Sequence, residues 1–168
     1  MTADHPSPEA RAIRARITLA ATAVIVAGLN LGAKTWAAGA LNDGSSTDLE
    51  LLHLRLAFNP GVAFSIGDTL PPAVLLGVTG VIVVALAVFA VRVARTAAPP
   101  VVLALAAMLG GAVANLIDRA GDGLVTDYLH TGWFPTFNLA DVFVVTGAAV
   151  LVLASWRASD TADTGADE

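Results

Sequence analysis

The side chains that could do chemistry in this chain are carboxylates. Cysteine is absent, and the three histidines, His5, His53 and His130, stand far apart without ligand spacing. Disulfides, thiolate nucleophiles and thiolate metal sites are thereby excluded, and neither a metal nor another cofactor is expected. Four acidic residues lie close to the ends of apolar stretches: Asp118, Asp122, Asp127 and Asp141. Asp118, next to Arg119, reads equally well as an interfacial ion pair. Asp122, in Gly121-Asp122-Gly123, has the composition of a turn. Asp141 follows Asn138 at the spacing of a helix N-cap with an acid at N3, and capping alone would account for it. Asp127 is flanked by Leu124, Val125, Tyr128 and Leu129, an apolar setting in which an unpaired carboxylate is costly. Two carboxyls brought together can hydrolyse a peptide bond without metal, serine or cysteine: one, ionised, takes a proton from water while the other, neutral, polarises the carbonyl. Their like charge raises one pKa, and Asp141, near a helix start, is the easier to ionise and the expected base. Spacing alone does not bring Asp127 and Asp141 together.

The elements that must position these groups belong to a membrane. The 168 residues are 56% hydrophobic and 14% charged, against roughly a quarter charged in soluble domains. Four apolar stretches, about residues 17–38, 70–91, 101–117 and 142–156, are long enough to cross ~30 Å of hydrocarbon. The expected fold is an all-α membrane protein: a single membrane domain over residues 1–168, four transmembrane helices and a small extracytoplasmic β-sheet/loop region. Residues 1–12 and 158–168 are polar or small and expected to be disordered. Arg11, Arg14 and Arg16 precede the first span, Arg92 and Arg95 follow the second, and Arg157 follows the fourth; the other side carries Arg55 and Arg119. Both termini and the 92–100 turn are therefore expected in the cytoplasm, with loops 39–69 and 118–141 and any chemistry at the outer face of the cytoplasmic (inner) cell membrane. The net charge of −5 argues against a nucleic-acid partner. Residues 52–58 alternate apolar and polar, the period of a half-buried strand, with shorter candidates at 124–129 and 134–137. Trp36, Trp133, Phe134 and Trp156 stand where interfacial aromatics sit. Gly28 and Gly32 have helix-packing spacing. Lys34, a charge inside a span, is a functional candidate by cost, and snorkelling to the interface explains it equally well.

Four motifs resemble those of the bacterial lipoprotein signal peptidases (signal peptidase II). Asn59-Pro60-Gly61-Val62-Ala63-Phe64-Ser65 is similar to the family's N-x-G-x-A-F. Gly110-Gly111-Ala112-Val113-Ala114-Asn115-Leu116-Ile117-Asp118-Arg119 resembles G-G-x-x-G-N-x-x-D-R. Val125-Thr126-Asp127-Tyr128 and Phe137-Asn138-Leu139-Ala140-Asp141 resemble the two segments bearing catalytic aspartates. Order, spacing and four spans agree over nearly the whole chain. The resemblance implies an aspartic endopeptidase with Asp127 and Asp141 as its dyad. It further implies that Asn59, Gly61, Asn115, Arg119 and Asn138, with Lys34, bind and position the substrate or brace the dyad. The implied partner is a prolipoprotein carrying diacylglyceryl-cysteine, cut before that cysteine, beside membrane lipid; the enzyme is expected to be a monomer. Two positions depart from the pattern: Asn30 stands where the family's first helix has Asp four residues before Lys34, and Ala114 replaces a glycine. They motivate one alternative, an inactive lipoprotein-binding paralogue. The polar residues Asn30, Lys34 and Asn115 within the spans motivate another, a small membrane transporter.

Overall fold

The computed structural model describes residues 7–61 and 70–164, with side chains as far as Arg157. Residues 62–65 of the Asn59 motif, Asp68 and the chain ends 1–6 and 165–168 lie outside the described residues. Helix α1 spans Pro8–Ala40, α2 Pro72–Val93, α3 Pro99–Asp122 and α4 Leu139–Thr164, and all four are long and apolar enough to cross a membrane. Three bounds differ from expectation by five residues or more. α1 starts at Pro8 instead of after residue 12, because Ser7 caps it by accepting from the Ala10 N–H at 3.2 Å and Pro8 and Glu9 suit a first turn. α3 runs five residues beyond 117, until Gly123 stops it in the left-handed region at φ 88° with its N–H on the Arg119 carbonyl. Asn115, Asp118 and Arg119 are therefore all helical. α4 continues past 157 to Thr164, since propagating an established helix costs little per residue.

α3 is the central helix, packed against α1, α2 and α4. Its glycines set the closest approaches: a Cβ on Gly110 would sit 2.6 Å from the Ala23 carbonyl oxygen of α1, and one on Gly111 would sit 2.7 Å from the Ala140 carbonyl oxygen of α4. Gly147 of α4 lies as tightly against Met108 and the Ala104 carbonyl of α3. Ala114 is wholly buried. The Gly28 and Gly32 pair does not serve this purpose: a Cβ on either meets nothing within 4 Å. Exposed Ile17, Val24, Ile25, Val81, Ile82, Phe89 and Val145 leave an apolar outer surface that suits lipid.

At one end of the bundle three antiparallel strands, β1 (Ser46–Asp48), β2 (His53–Asn59) and β3 (Val125–His130), form a sheet in the order β1-β2-β3. β2 and β3 fall where alternation placed strands, with Asn59 opposite Val125 and Ala57 opposite Asp127. The 134–137 candidate supplies only a bridge from Phe137 to Leu129. β1 was not foreseen: its three residues are all exposed, so it carries no burial period.

Asp118 ties this sheet to the helices. Its carboxylate accepts from Lys34 Nζ at 2.7 Å, from the Thr126 N–H at 2.7 Å and from Thr126 Oγ1 at 3.2 Å. Asp118 and Arg119 therefore do not pair with each other, because adjacent positions on a helix point apart. Arg119 instead donates to the Pro60 and Gly61 carbonyls at 3.3 and 2.6 Å, strapping the end of β2 to α3. Lys34 does not snorkel either: it is buried, since a carboxylate within reach satisfies it better than a stretch towards water. Asn30, on the same helix face, is fully buried and turns its Nδ2 back onto the Val26 carbonyl at 2.7 Å.

Two expectations follow. Gly110→Ala will lower stability in detergent by about 1–3 kcal/mol through overpacking, whereas Gly28→Ala will be neutral or gain up to ~1 kcal/mol from helix propensity; thermal unfolding of the two variants compares them. Lys34→Met, which strands a half-buried carboxylate, will cost about 2–4 kcal/mol, and the double variant Lys34→Met/Asp118→Leu will recover a large part of it. Equal losses in single and double variants would remove the ion pair from this role.

Candidate active site

Asp127 is the third residue of β3 and is only 3% exposed. Asn138 Nδ2 donates to its Oδ1 at 2.7 Å and Asn59 Nδ2 to its Oδ2 at 3.3 Å. Asp141 sits in the first turn of α4, where Asn138 is the N-cap. Asn138 Oδ1 accepts from the Ala140 and Asp141 N–H groups at 2.8 and 3.3 Å, and Asp141 Oδ2 accepts in return from the Asn138 N–H at 3.0 Å. This is a reciprocal capping box, the arrangement that the Asn138 to Asp141 spacing foretold. Asn115 Nδ2, from α3, donates to the other oxygen of Asp141 at 2.9 Å.

The amide orientations follow from these partners. Asn138 must turn its oxygen to the two α4 N–H groups, which leaves its NH₂ for Asp127. Asn59 Oδ1 accepts from the Gly61 N–H at 3.0 Å, so its NH₂ likewise faces Asp127. Each carboxylate thus receives uncharged N–H donors, and one asparagine holds both. Burial pushes the Asp127 pKa up to about 6, and the charge of Asp141 adds to the rise; the hydrogen bonds from Asn138 and Asn59, and more distantly the charge of Lys34, oppose it.

Both carboxylates line one cavity of about 770 Å³ between the end of β2, residues 131–137 and the first turns of α4. Phe58, Trp133, Phe134 and Phe137 form its aromatic wall, and Val142, Val144 and Val145 its aliphatic one. Of the other sequence candidates only Asn59 lines this space. Asn115 and Asn138 stand behind it holding the carboxylates. Arg119 and Gly61 stand behind it as strap and strapped backbone, and Lys34 lies beneath β3. The spacing of Asp122 meant what it suggested, a turn, with the Leu124 N–H on its Oδ1 at 3.0 Å. Sequence reasoning missed Thr126, whose only signal was its place beside Asp127. It also missed the pairing of Asp118 with Lys34 across 84 positions, which had no local signal. Among the described residues no three histidine or acidic side chains converge as metal ligands. Chemically, the site offers a protonatable buried carboxyl, a second carboxylate at a helix N-terminus, and an apolar groove beside them.

Comparison with known proteins identifies a family for the chain as a whole. The family model described as "Signal peptidase (SPase) II", Peptidase_A8, matches residues 22–157. The lipoprotein signal peptidase of Rhodococcus jostii is 34% identical over 163 residues, covering 89% of this chain and 80% of that protein. That of Mycobacterium tuberculosis is 35% identical over 161 residues, covering 91% and 77%. A solved bacterial membrane enzyme, determined by the in meso method at 2.3 Å resolution, superposes with a TM-score of 0.74 at 24% identity over 86% of this chain and 90% of that one, a likeness of fold. Neither the transporter nor the inactive paralogue is favoured by these likenesses. The chain belongs to the signal peptidase II family and is a multi-pass membrane peptidase of the aspartic type.

Proposed function

We propose that Asp127 and Asp141 are the catalytic pair with which this peptidase cuts a prolipoprotein before its diacylglyceryl-modified cysteine. As a lipoprotein signal peptidase the protein removes signal peptides from prolipoproteins. The finer reading rests on one observation: two carboxylates joined through Asn138 open onto the same apolar cavity, one of them with a raised pKa. Asp141, ionised at the start of α4, takes a proton from water. Asp127, protonated, donates a hydrogen bond to the scissile carbonyl oxygen as charge builds there. Collapse of the tetrahedral intermediate breaks the C–N bond. The proton held by Asp141 goes to the leaving amine of the cysteine, and the signal peptide departs with the new carboxyl group. The groove of Trp133, Phe134, Val142 and Val145 suits acyl chains, which a soluble peptide would not require.

The same reading sets the protein in the cytoplasmic membrane with both ends of the chain and the 94–98 turn inside, and with the sheet and cavity outside. The arginine distribution supports this. One chain supplies both carboxylates, and the same reading takes the enzyme as a monomer. Asn59 and the straps on its loop brace the pair. Asn115 and Asn138 do so from behind.

The test is cleavage of a diacylglyceryl-modified prolipoprotein in detergent, followed by gel shift. Asp127→Asn and Asp141→Asn will each lower the rate by at least about 10³-fold; a variant retaining wild-type turnover would strike that residue from the pair. A pH profile supplies a second check. With Asp127 as the acid, kcat/KM of the free enzyme falls as pH rises through about 6. An N–H donor favours the ionised carboxylate, so Asn59→Ala will raise the Asp127 pKa and move the alkaline limb to higher pH. Movement in the opposite direction would contradict the assignment of the proton to Asp127.

A further inference from the structure

A second cavity, of about 350 Å³, lies at the opposite end of the bundle from the carboxylates, between the first turns of α1 and the turn joining α2 to α3. Ala15, Ala94 and Ala97 line its apolar part, and Arg11, Arg95 and Thr96 its polar part. The three alanines pack onto an apolar cluster with Leu19 and Leu105, and their methyl groups are too short to fill the space above them. Arg11 and Arg95 come from different elements and both are exposed. Among the described residues neither pairs with a carboxylate. Arg16, one position after Ala15, has its Nε shut off from solvent without a hydrogen-bond partner. Glu9, the acid nearest Arg11 along α1, is two residues away and so lies off its helical face. Among the described residues Arg11 and Arg95 therefore stand without a carboxylate partner, around a hollow at the boundary of the apolar spans.

We infer that this cavity binds the phosphodiester headgroup of an anionic phospholipid, held between Arg11 and Arg95. Two guanidinium forks facing one hollow match the oxygens of a single phosphate. The volume is at the low end of small-molecule sites, roughly 300–1,000 Å³, more than a bare anion needs and enough for a headgroup. Val88 and Val91, in the last two turns of α2 before the turn that carries Arg95, are exposed apolar side chains against which acyl chains can lie. Basic hollows between helices at the membrane surface are the kind of place where such headgroups are bound. In the orientation proposed above the lipid belongs to the inner leaflet. The site is separate from the carboxylate pair and does not depend on the roles given to it.

The experiment uses the full chain, purified from nanodiscs of phosphatidylcholine with a minor fraction of phosphatidylglycerol, and native mass spectrometry to count retained lipids. Wild type will keep one phosphatidylglycerol in preference to phosphatidylcholine. Arg11→Gln and Arg95→Gln will each weaken that preference about fivefold, and the double variant will abolish it. Arg14→Gln and Arg92→Gln, which remove the same charge outside the cavity, will change it by less than about twofold. Thermal unfolding and cleavage activity of all variants establish that they are folded. Equal effects from all four substitutions would reduce the site to unspecific surface charge and overturn the proposal, as would wild type without a preference. Displacement of the lipid by inorganic phosphate at comparable concentration would overturn the lipid as the ligand in favour of the free anion.

Discussion

The site depends on the amide of Asn138. Its oxygen satisfies the first free N–H groups of α4 and its nitrogen donates to Asp127, while its own backbone N–H binds Asp141. No other residue type does all three. Aspartate caps a helix as well as asparagine, but it would present an acceptor to Asp127 and add a third negative charge. Serine would cap without reaching the second carboxylate with an N–H. The same logic covers Asn59 and Asn115, which brace the pair from β2 and α3. Amide donors hold carboxylates in place without adding positive charge, so one of the pair can keep its proton. Lysine or arginine in those positions would drive both groups to ionise.

The cations nearest the site are kept from it by other partners. Lys34 gives its ammonium to Asp118, and Arg119 gives both ends of its guanidinium to carbonyl groups of the β2 terminus. Both are buried, and charge in an apolar setting is tolerable only when so partnered. The pairing also does mechanical work: Asp118 is bound through Thr126 to the strand that carries Asp127, and Arg119 to the segment that carries Asn59. Asn30 belongs to the same economy. A neutral amide at that position leaves Asp118 as the partner that takes the lysine's charge.

Elements with a strong one-dimensional signal were legible in the sequence. The four spans announce themselves by length of apolar run, β2 by alternation, and the start of α4 by Asn138 with Asp141 three positions on. Each is a local pattern fixed by the period of a helix or strand or by the reach of a cap. The motifs also placed Asp127 and Asp141 together as candidates, through likeness and not through spacing. What was not legible depended on three dimensions. Lys34 and Asp118 meet across two helices. The sheet's exposed edge strand has no period to read. Gly28 and Gly32 have the spacing of a packing motif, yet face outward, while the adjacent Gly110 and Gly111 carry the contacts. Spacing reports which residues share a helix face, and only the fold decides which face meets another helix.

That last distinction reaches the chemistry. Gly111 lies one turn before Asn115 on α3, and the backbone it presses against is Ala140, the neighbour of Asp141. The bond from Asn115 to Asp141 is 2.9 Å, and its length is set by how closely α3 and α4 approach at this contact. A Cβ at 111 would fall 2.7 Å from the Ala140 carbonyl oxygen, a distance the helices could relieve only by separating. Separation of a few tenths of an ångström would stretch the hydrogen bond that Asn115 donates to Asp141, while Asn138 continued to hold the carboxylate to α4. The two aspartates come from different elements, β3 and α4, and their spacing is inherited from packing between helices that carry neither carboxylate except Asp141. Close glycine contacts in the bundle are therefore part of the positional control of the site, although no glycine on α3 touches the cavity.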